Sequence, residues 1–156
     1  MTGPIRYLLR LFLVHRHRSK TLTRAVSLEK IQTVTVLMPP SEADSKVIAS
    51  YFESKGIRAR VLQPTEKDRN FIGCFKKNIR STRKNPRHED LYLSLVCDEA
   101  DFAAYYDACC SDAVFKLGCC NYKDSLFNIT INIPEGKAVK TLDIFATMAN
   151  CLEKVV

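Results

Sequence analysis

Asp98, Glu99 and Asp101 follow an apolar run at residues 91–96. Acids just beyond the carboxyl end of a sheet strand are where α/β proteins hold divalent cations or perform acid–base chemistry. Residues 98–101 also spell an acidic tetrad, Asp-Glu-Ala-Asp, that serves ATP hydrolysis when a Gly-rich loop ending in Gly-Lys-Ser/Thr holds the phosphates. The five glycines, Gly3, Gly56, Gly73, Gly118 and Gly136, all lie outside such a context. The simpler expectation is that these acids favour the positive end of the helix that follows. At Met38-Pro39-Pro40-Ser41, the first strand-to-helix turn, prolines remove the amide donors that a dinucleotide would need. Nucleotide binding is therefore not expected there.

Seven cysteines are the second candidate set: Cys74, Cys97, Cys109, Cys110, Cys119, Cys120 and Cys151. The adjacent pairs 109–110 and 119–120 lack the two to four intervening residues of a zinc knuckle. Neighbours on a strand point to opposite faces, and on a helix they diverge by about 100°. One member of each pair could still meet across a hairpin, as a structural zinc site or a redox pair. An odd count without an export signal predicts free thiols acting as small buried hydrophobes rather than a disulfide framework. His15 and His17 sit among arginines that repel a cation, and His88 has no catalytic-triad pattern around it. No catalytic residue, metal or cofactor is expected from these types and spacings.

Cationic charge is the remaining signal. Arg6, Arg10, Arg16, Arg18, Lys20 and Arg24 fall within the first 26 residues, which contain no acid. Lys76, Lys77, Arg80, Arg83, Lys84 and Arg87 form a second acid-free cluster. The chain carries +7 overall, and residues 27–156 hold 18 Lys and Arg against 17 Asp and Glu, so the excess is concentrated in an N-terminal arm. Such an arm attracts an anionic neighbour over about a Debye length. If the two clusters adjoin, they could cradle the phosphates of RNA or DNA. Aromatic interleaving for stacking on single strands is thin, with Tyr7, Phe12 and Phe75 alone. A membrane face fits the arm better: Leu8, Leu9, Phe12 and Leu13 would enter the acyl boundary while arginines meet anionic headgroups. The second cluster reads first as a solvated surface loop, offset by acids between Glu89 and Asp112, and the arm reads equally as a helix docked on the body with its charges in water.

The elements that must position these groups follow from periodicity. Ile5, Leu8, Leu9, Phe12 and Leu13 recur at helical spacing while Arg6, Arg10 and His17 fall off that stripe, predicting an amphipathic helix over residues 4–24. Residues 33–37 are rich in β-branched side chains and read as a buried strand. Ser41 caps a helix with Glu42 and Asp44 in its first turn, Gly56 stops it, and residues 57–62 return as a second strand. This βαβ unit predicts parallel strands with a right-handed crossover. Residues 63–88 carry little pattern beyond a short apolar run at 71–75. A strand at 91–96 and a helix ending near Cys110 come next. Two strands, 113–119 and 126–133, read as a hairpin. Phe127, Ile129, Ile131 and Ile133 are expected to share its dry face. A final helix carries Leu142, Phe145, Met148, Ala149 and Leu152.

The expected architecture is one α/β domain, residues 28–156, with a single mixed sheet of about five strands flanked by helices, preceded by the basic amphipathic helix and connector of residues 1–27. The apolar run at residues 11–14 is too short for a signal-peptide core or a transmembrane span. The expected location is cytoplasmic, peripheral to a membrane. The Arg-rich, acid-free arm also has the composition of an organelle transit peptide.

Residues 90–95, 113–118 and 127–131, closing on a helix, resemble an uncharacterised family of small Bacteroidota proteins that also tend to start with a short basic helix. The likeness is strongest over residues 90–156 and centres on Phe115-Lys116-Leu117-Gly118. It implies no activity. The sequence therefore points to a non-enzymatic binding or adaptor protein whose arm engages a membrane face or nucleic acid. The alternative is a small metal-dependent or thiol-based enzyme using Asp98, Glu99 and Asp101 or the paired cysteines.

Overall fold

A computed structural model describes residues 3–82, 84–134, 136 and 138–156. Its elements run α1 (Gly3–His17), β1 (Thr33–Leu37), α2 (Glu42–Ser54), β2 (Arg58–Leu62), β3 (Leu91–Ser94), α3 (Phe102–Cys110), β4 (Phe115–Gly118), β5 (Ile129–Thr130) and α4 (Thr141–Lys154), with short 3-10 turns at Leu28–Lys30 and Glu66–Asp68. The strands form one sheet in the order β2-β1-β3-β4-β5. This is a doubly wound α/β order, with its switch point between β1 and β3.

The local signals explain most of these elements. Ser41 Oγ accepts the Asp44 amide at the start of α2, and Gly56 takes φ +75° just past its end. Alternation along the strands divides two cores. Val34, Val36, Leu91, Leu93, Phe115 and Leu117 meet Ile48 and Phe52 of α2 and Phe145, Met148 and Leu152 of α4. On the opposite face Leu37 and Tyr92 meet Ala104, Ala108 and Cys109 of α3.

Four expectations are corrected. The sheet is wholly parallel rather than mixed. The hairpin is absent, because β4 and β5 pair in parallel with Leu117 opposite Ile129. Ten residues separate these strands, and the connection spends Leu126 and Phe127 in the α3-side core while Ile129, Ile131 and Ile133 pack on the α2–α4 side. The Phe127 ring fills the space that a side chain at Gly118 would need, so the returning chain crosses tightly over the sheet. The expected single dry face of residues 127–133 is thereby split. Third, α1 stops at His17 rather than near residue 24. Ser19, Thr21 and Thr23 are weak helix formers, and the extended chain finds better partners: the Ser19 amide donates to Cys109 O at 2.9 Å, and Asn128 Nδ2 donates to Thr23 Oγ1 at 3.2 Å.

The fourth correction concerns the thiols. Cys97 and Cys119 form a disulfide with their Cα atoms 5.5 Å apart. Parallel β3 and β4 end side by side, which brings together residues just past their carboxyl ends. Cys74, Cys109, Cys110 and Cys120 are buried free thiols, as expected. The bridge closes a separation of 22 residues, so Cys97→Ser is expected to lower stability by about 3 kcal/mol. A urea midpoint unchanged by the substitution would show that the bridge contributes nothing.

The β2–β3 connection builds the seat for α1. Asn70 Oδ1 accepts the amides of Ile72, Gly73 and Cys74, closing a loop in which Gly73 takes φ +93°. Ile72 O points outward from this loop and accepts Nε of both Arg6, at 3.2 Å, and Arg10, at 3.0 Å. Both guanidinium groups stand close to where a Cβ at position 73 would be, and the positive φ there favours glycine.

Candidate functional site

Arg6 and Arg10 face the body, and this fixes how α1 lies. Besides its bond to Ile72, Arg10 stacks its guanidinium 4.5 Å above the Phe102 ring of α3. Leu13 and Val14 pack against the buried group of Cys74, Tyr106 and Cys110. Outside this contact the helix is left in solvent: Ile5, Tyr7, Leu8, Leu11 and Phe12 are each between 51% and 64% exposed. Phe71, next to the Ile72 seat, is 77% exposed. The arrangement departs from an ordinary surface helix, with Arg6 and Arg10 inward and large apolar side chains outward. A contiguous exposed apolar row of this kind marks an interaction surface.

Beyond the end of α1, the two basic clusters come together. A cavity of about 720 Å³ lies between residues 16–20 on one side and residues 77, 80–82, 84 and 85 on the other, and Cys110 and Asp112 also line it. Arg16, Arg18, Lys20, Lys77, Arg80 and Lys84 line it. Asp112 is the one carboxylate among its described lining residues, and it is engaged by Ser19 Oγ at 2.6 Å. Arg16 also stands 6.0 Å from the Phe12 ring, so the cationic cleft and the apolar row of α1 are continuous.

The twelve cations expected to bind anions therefore separate into groups. Arg16, Lys20, Lys77, Arg80 and Lys84 face the cleft. Arg18 faces it too, but Asp124 holds its guanidinium at 2.8 Å. Arg6 and Arg10 are committed to Ile72 O, which corrects their expected role against headgroups. Arg24 and Lys76 are exposed away from the cleft lining. Arg83 lies outside the described residues. Arg87 is a clear correction: its side chain is 6% exposed and donates to both Asp107 oxygens at 3.0 Å and to Glu89 at 2.9 Å. It is a core ion pair that no solvent anion can reach. Tyr92 and Ser111 hydroxyls complete the set on Asp107 and Glu89. Lys116, also buried, donates Nζ to Ala108 O in the last turn of α3, where a cation complements the helix dipole.

The acids expected at the end of β3 are divided as well. Asp101 caps α3 by accepting the Ala104 amide, and the Arg69 guanidinium grips both its oxygens at 2.7 and 2.8 Å. Burial alone would raise this carboxyl, but the bonds from Arg69 and the helix amides outweigh burial and hold it below the ordinary range. Asp98 accepts the Ala100 amide in the preceding turn. Among the described residues, no group of three His, Cys, Asp or Glu could hold a metal ion. Burial, with a smaller contribution from neighbouring Asp107, pushes the Cys110 thiol up to about 12, and burial pushes Cys109 up to about 11. Both are protonated at neutral pH and poor nucleophiles.

Arg69 was not singled out from sequence, because its partner lies 32 positions away. Asp124 likewise gains its low pKa from a distant partner. Burial raises it, but bonds from Tyr105 and Arg18 prevail. For both Asp101 and Asp124, a folded pKa below the unfolded one means stability that is full above the ordinary carboxylate pKa of about 3.9. It is lost as pH falls through the depressed folded values. Denaturation midpoints measured at pH 6 and pH 3 should therefore drop in acid, and Arg69→Gln should shrink that drop. An unchanged acid slope in Arg69→Gln would contradict the assignment.

A second cavity, of about 400 Å³, runs beside α1 between Tyr7, Phe102, Tyr105 and Tyr122, and the Arg18–Asp124 pair stands between it and the cationic cleft. Comparison with known protein families, curated proteins and solved structures yields no match for this chain.

Proposed function

We propose that the protein is a non-enzymatic peripheral binder of anionic membrane surfaces, with α1 lying in the interface. The single observation that carries this reading is the outward apolar row Ile5, Leu8, Leu11 and Phe12, held on a helix whose Arg6 and Arg10 are turned inward. Partial insertion of such a row buries area that water penalises at roughly 25 cal/mol per Å². The cleft cations flank the row through Arg16 and supply attraction to anionic headgroups, worth about 1 kcal/mol for each Lys or Arg near the surface. No helix among the described residues is long and apolar enough to cross a membrane, so the contact is with one face. A nucleic-acid duplex would use the cations but leave the apolar row wet. The enzymatic alternative loses support because Asp101 is held by Arg69 and the thiols at 109 and 110 are protonated.

Co-sedimentation of the full chain with phosphatidylcholine vesicles, with and without phosphatidylserine, tests the reading. Binding is expected to the anionic vesicles and to weaken as salt rises. Equal recovery in the supernatant with both would overturn it. An RNA mobility shift without vesicle binding would transfer the cleft to nucleic acid.

A further inference from the structure

We infer that the cleft lined by residues 16–20 on one side and by Lys77, Arg80 and Lys84 on the other is a discrete site for a ligand bearing terminal phosphate groups, presented on a lipid headgroup or as a free phosphorylated compound. The inference extends the membrane reading and rests on it only for the lipid-borne source. Lys20, Lys77 and Lys84 converge on this cavity and make no ion pair among the described residues. Cations gathered in one concave volume repel one another, and a multiply charged anion relieves that repulsion more than a carboxylate does.

The walls are built rather than loose. On one side the Ser19 amide is tied to Cys109 O and its hydroxyl to Asp112. On the other, Thr82 and Asn85 exchange backbone bonds, with the Asn85 amide also donating to Thr82 Oγ1, next to Lys84. Arg80 is held between them: its guanidinium lies 5.4 Å from the Tyr106 ring and donates Nη1 to the Tyr106 hydroxyl at 3.3 Å. Its Nε is buried and has no protein acceptor among the described residues. Phosphate oxygens are the acceptors that such Lys and Arg groups serve best. The volume of about 720 Å³ falls within the range of small-molecule sites.

The experiment is calorimetric titration of the full chain with inorganic pyrophosphate, beside co-sedimentation with phosphatidylcholine–phosphatidylserine vesicles carrying or lacking phosphatidylinositol bisphosphate. Saturable single-site binding of pyrophosphate is expected, weakened about tenfold or more in Lys77→Gln/Lys84→Gln. Both lysines are exposed, so thermal melts of that variant should match the parent. Lys46→Gln/Lys154→Gln removes the same charge from α2 and α4 on the far side of the sheet and should leave the affinity unchanged. Tighter vesicle binding with the bisphosphate lipid, lost in Lys77→Gln/Lys84→Gln, assigns a lipid-borne ligand. Pyrophosphate binding without that increment assigns a free one. Absence of saturable heat, or an equal loss in both variants, overturns the site. Vesicle binding that persists without pyrophosphate binding sinks this inference alone; the converse sinks the membrane reading alone.

Discussion

Arg87→Met should cost about 3–5 kcal/mol of folding free energy. Asp107 is fully buried and Glu89 nearly so, and both depend on this one guanidinium. Removing it leaves two carboxylates in a low-dielectric interior, with Tyr92 and Ser111 hydroxyls as their remaining donors. Lys116 lies on the same side of the sheet but spends its Nζ on Ala108 O. Whole-domain stabilities are commonly about 5–15 kcal/mol, so the variant should melt about 10 °C lower or more. A paired Arg87→Met/Asp107→Asn change should lose less than the two separate losses added together, because each partner's penalty is the other's absence. Additive losses in a thermal-melt cycle would mean that the groups do not act as a unit.

The second large effect lies on the surface. Leu8→Glu/Phe12→Glu replaces two outward residues of α1 that are 64% and 54% exposed, so the fold should keep its melting temperature. Two such side chains contribute about 3 kcal/mol when inserted among acyl chains. The double change should therefore reduce partition onto phosphatidylserine vesicles on the order of 100-fold. The same vesicles should respond far less to Val47→Glu, which lies exposed on α2. Sedimentation velocity supplies the other outcome: if the parent forms dimers that the double variant abolishes, while vesicle partition stays unchanged, the row packs on a second copy instead.

How far the sequence anticipated this molecule depends on the range of the interaction involved. The Ser41 cap, the stop at Gly56, the β-branched run at residues 33–37 and the apolar stripe of α4 are local signals, and each element formed where its signal stood. The parallel β1–β2 pairing followed from the short βαβ spacing. The β4–β5 relation did not, because alternation over residues 127–133 looks the same in a hairpin and in a parallel return. What decides it is Phe127 entering the space over Gly118. Charge was the least transparent signal. Arg87 and Lys84 are three residues apart in one acid-free cluster, yet one is sealed against Asp107 and the other lines a cavity. Composition counts both alike; only the fold brings a carboxylate to one of them. Arg6 and Arg10 were similarly read as outward cations because nothing near them in sequence announces the Ile72 carbonyl that receives them.

The chain contains no tryptophan, so Leu8→Trp installs a single indole on the outward row of α1. Its fluorescence with phosphatidylserine vesicles whose acyl chains are brominated reads the central claim directly. A blue-shifted emission quenched by the bromines, absent with uncharged vesicles, is the result expected of a helix seated among lipid tails. Emission that stays water-like and unquenched while the protein sediments with the vesicles would mean that the apolar face of α1 never enters the bilayer.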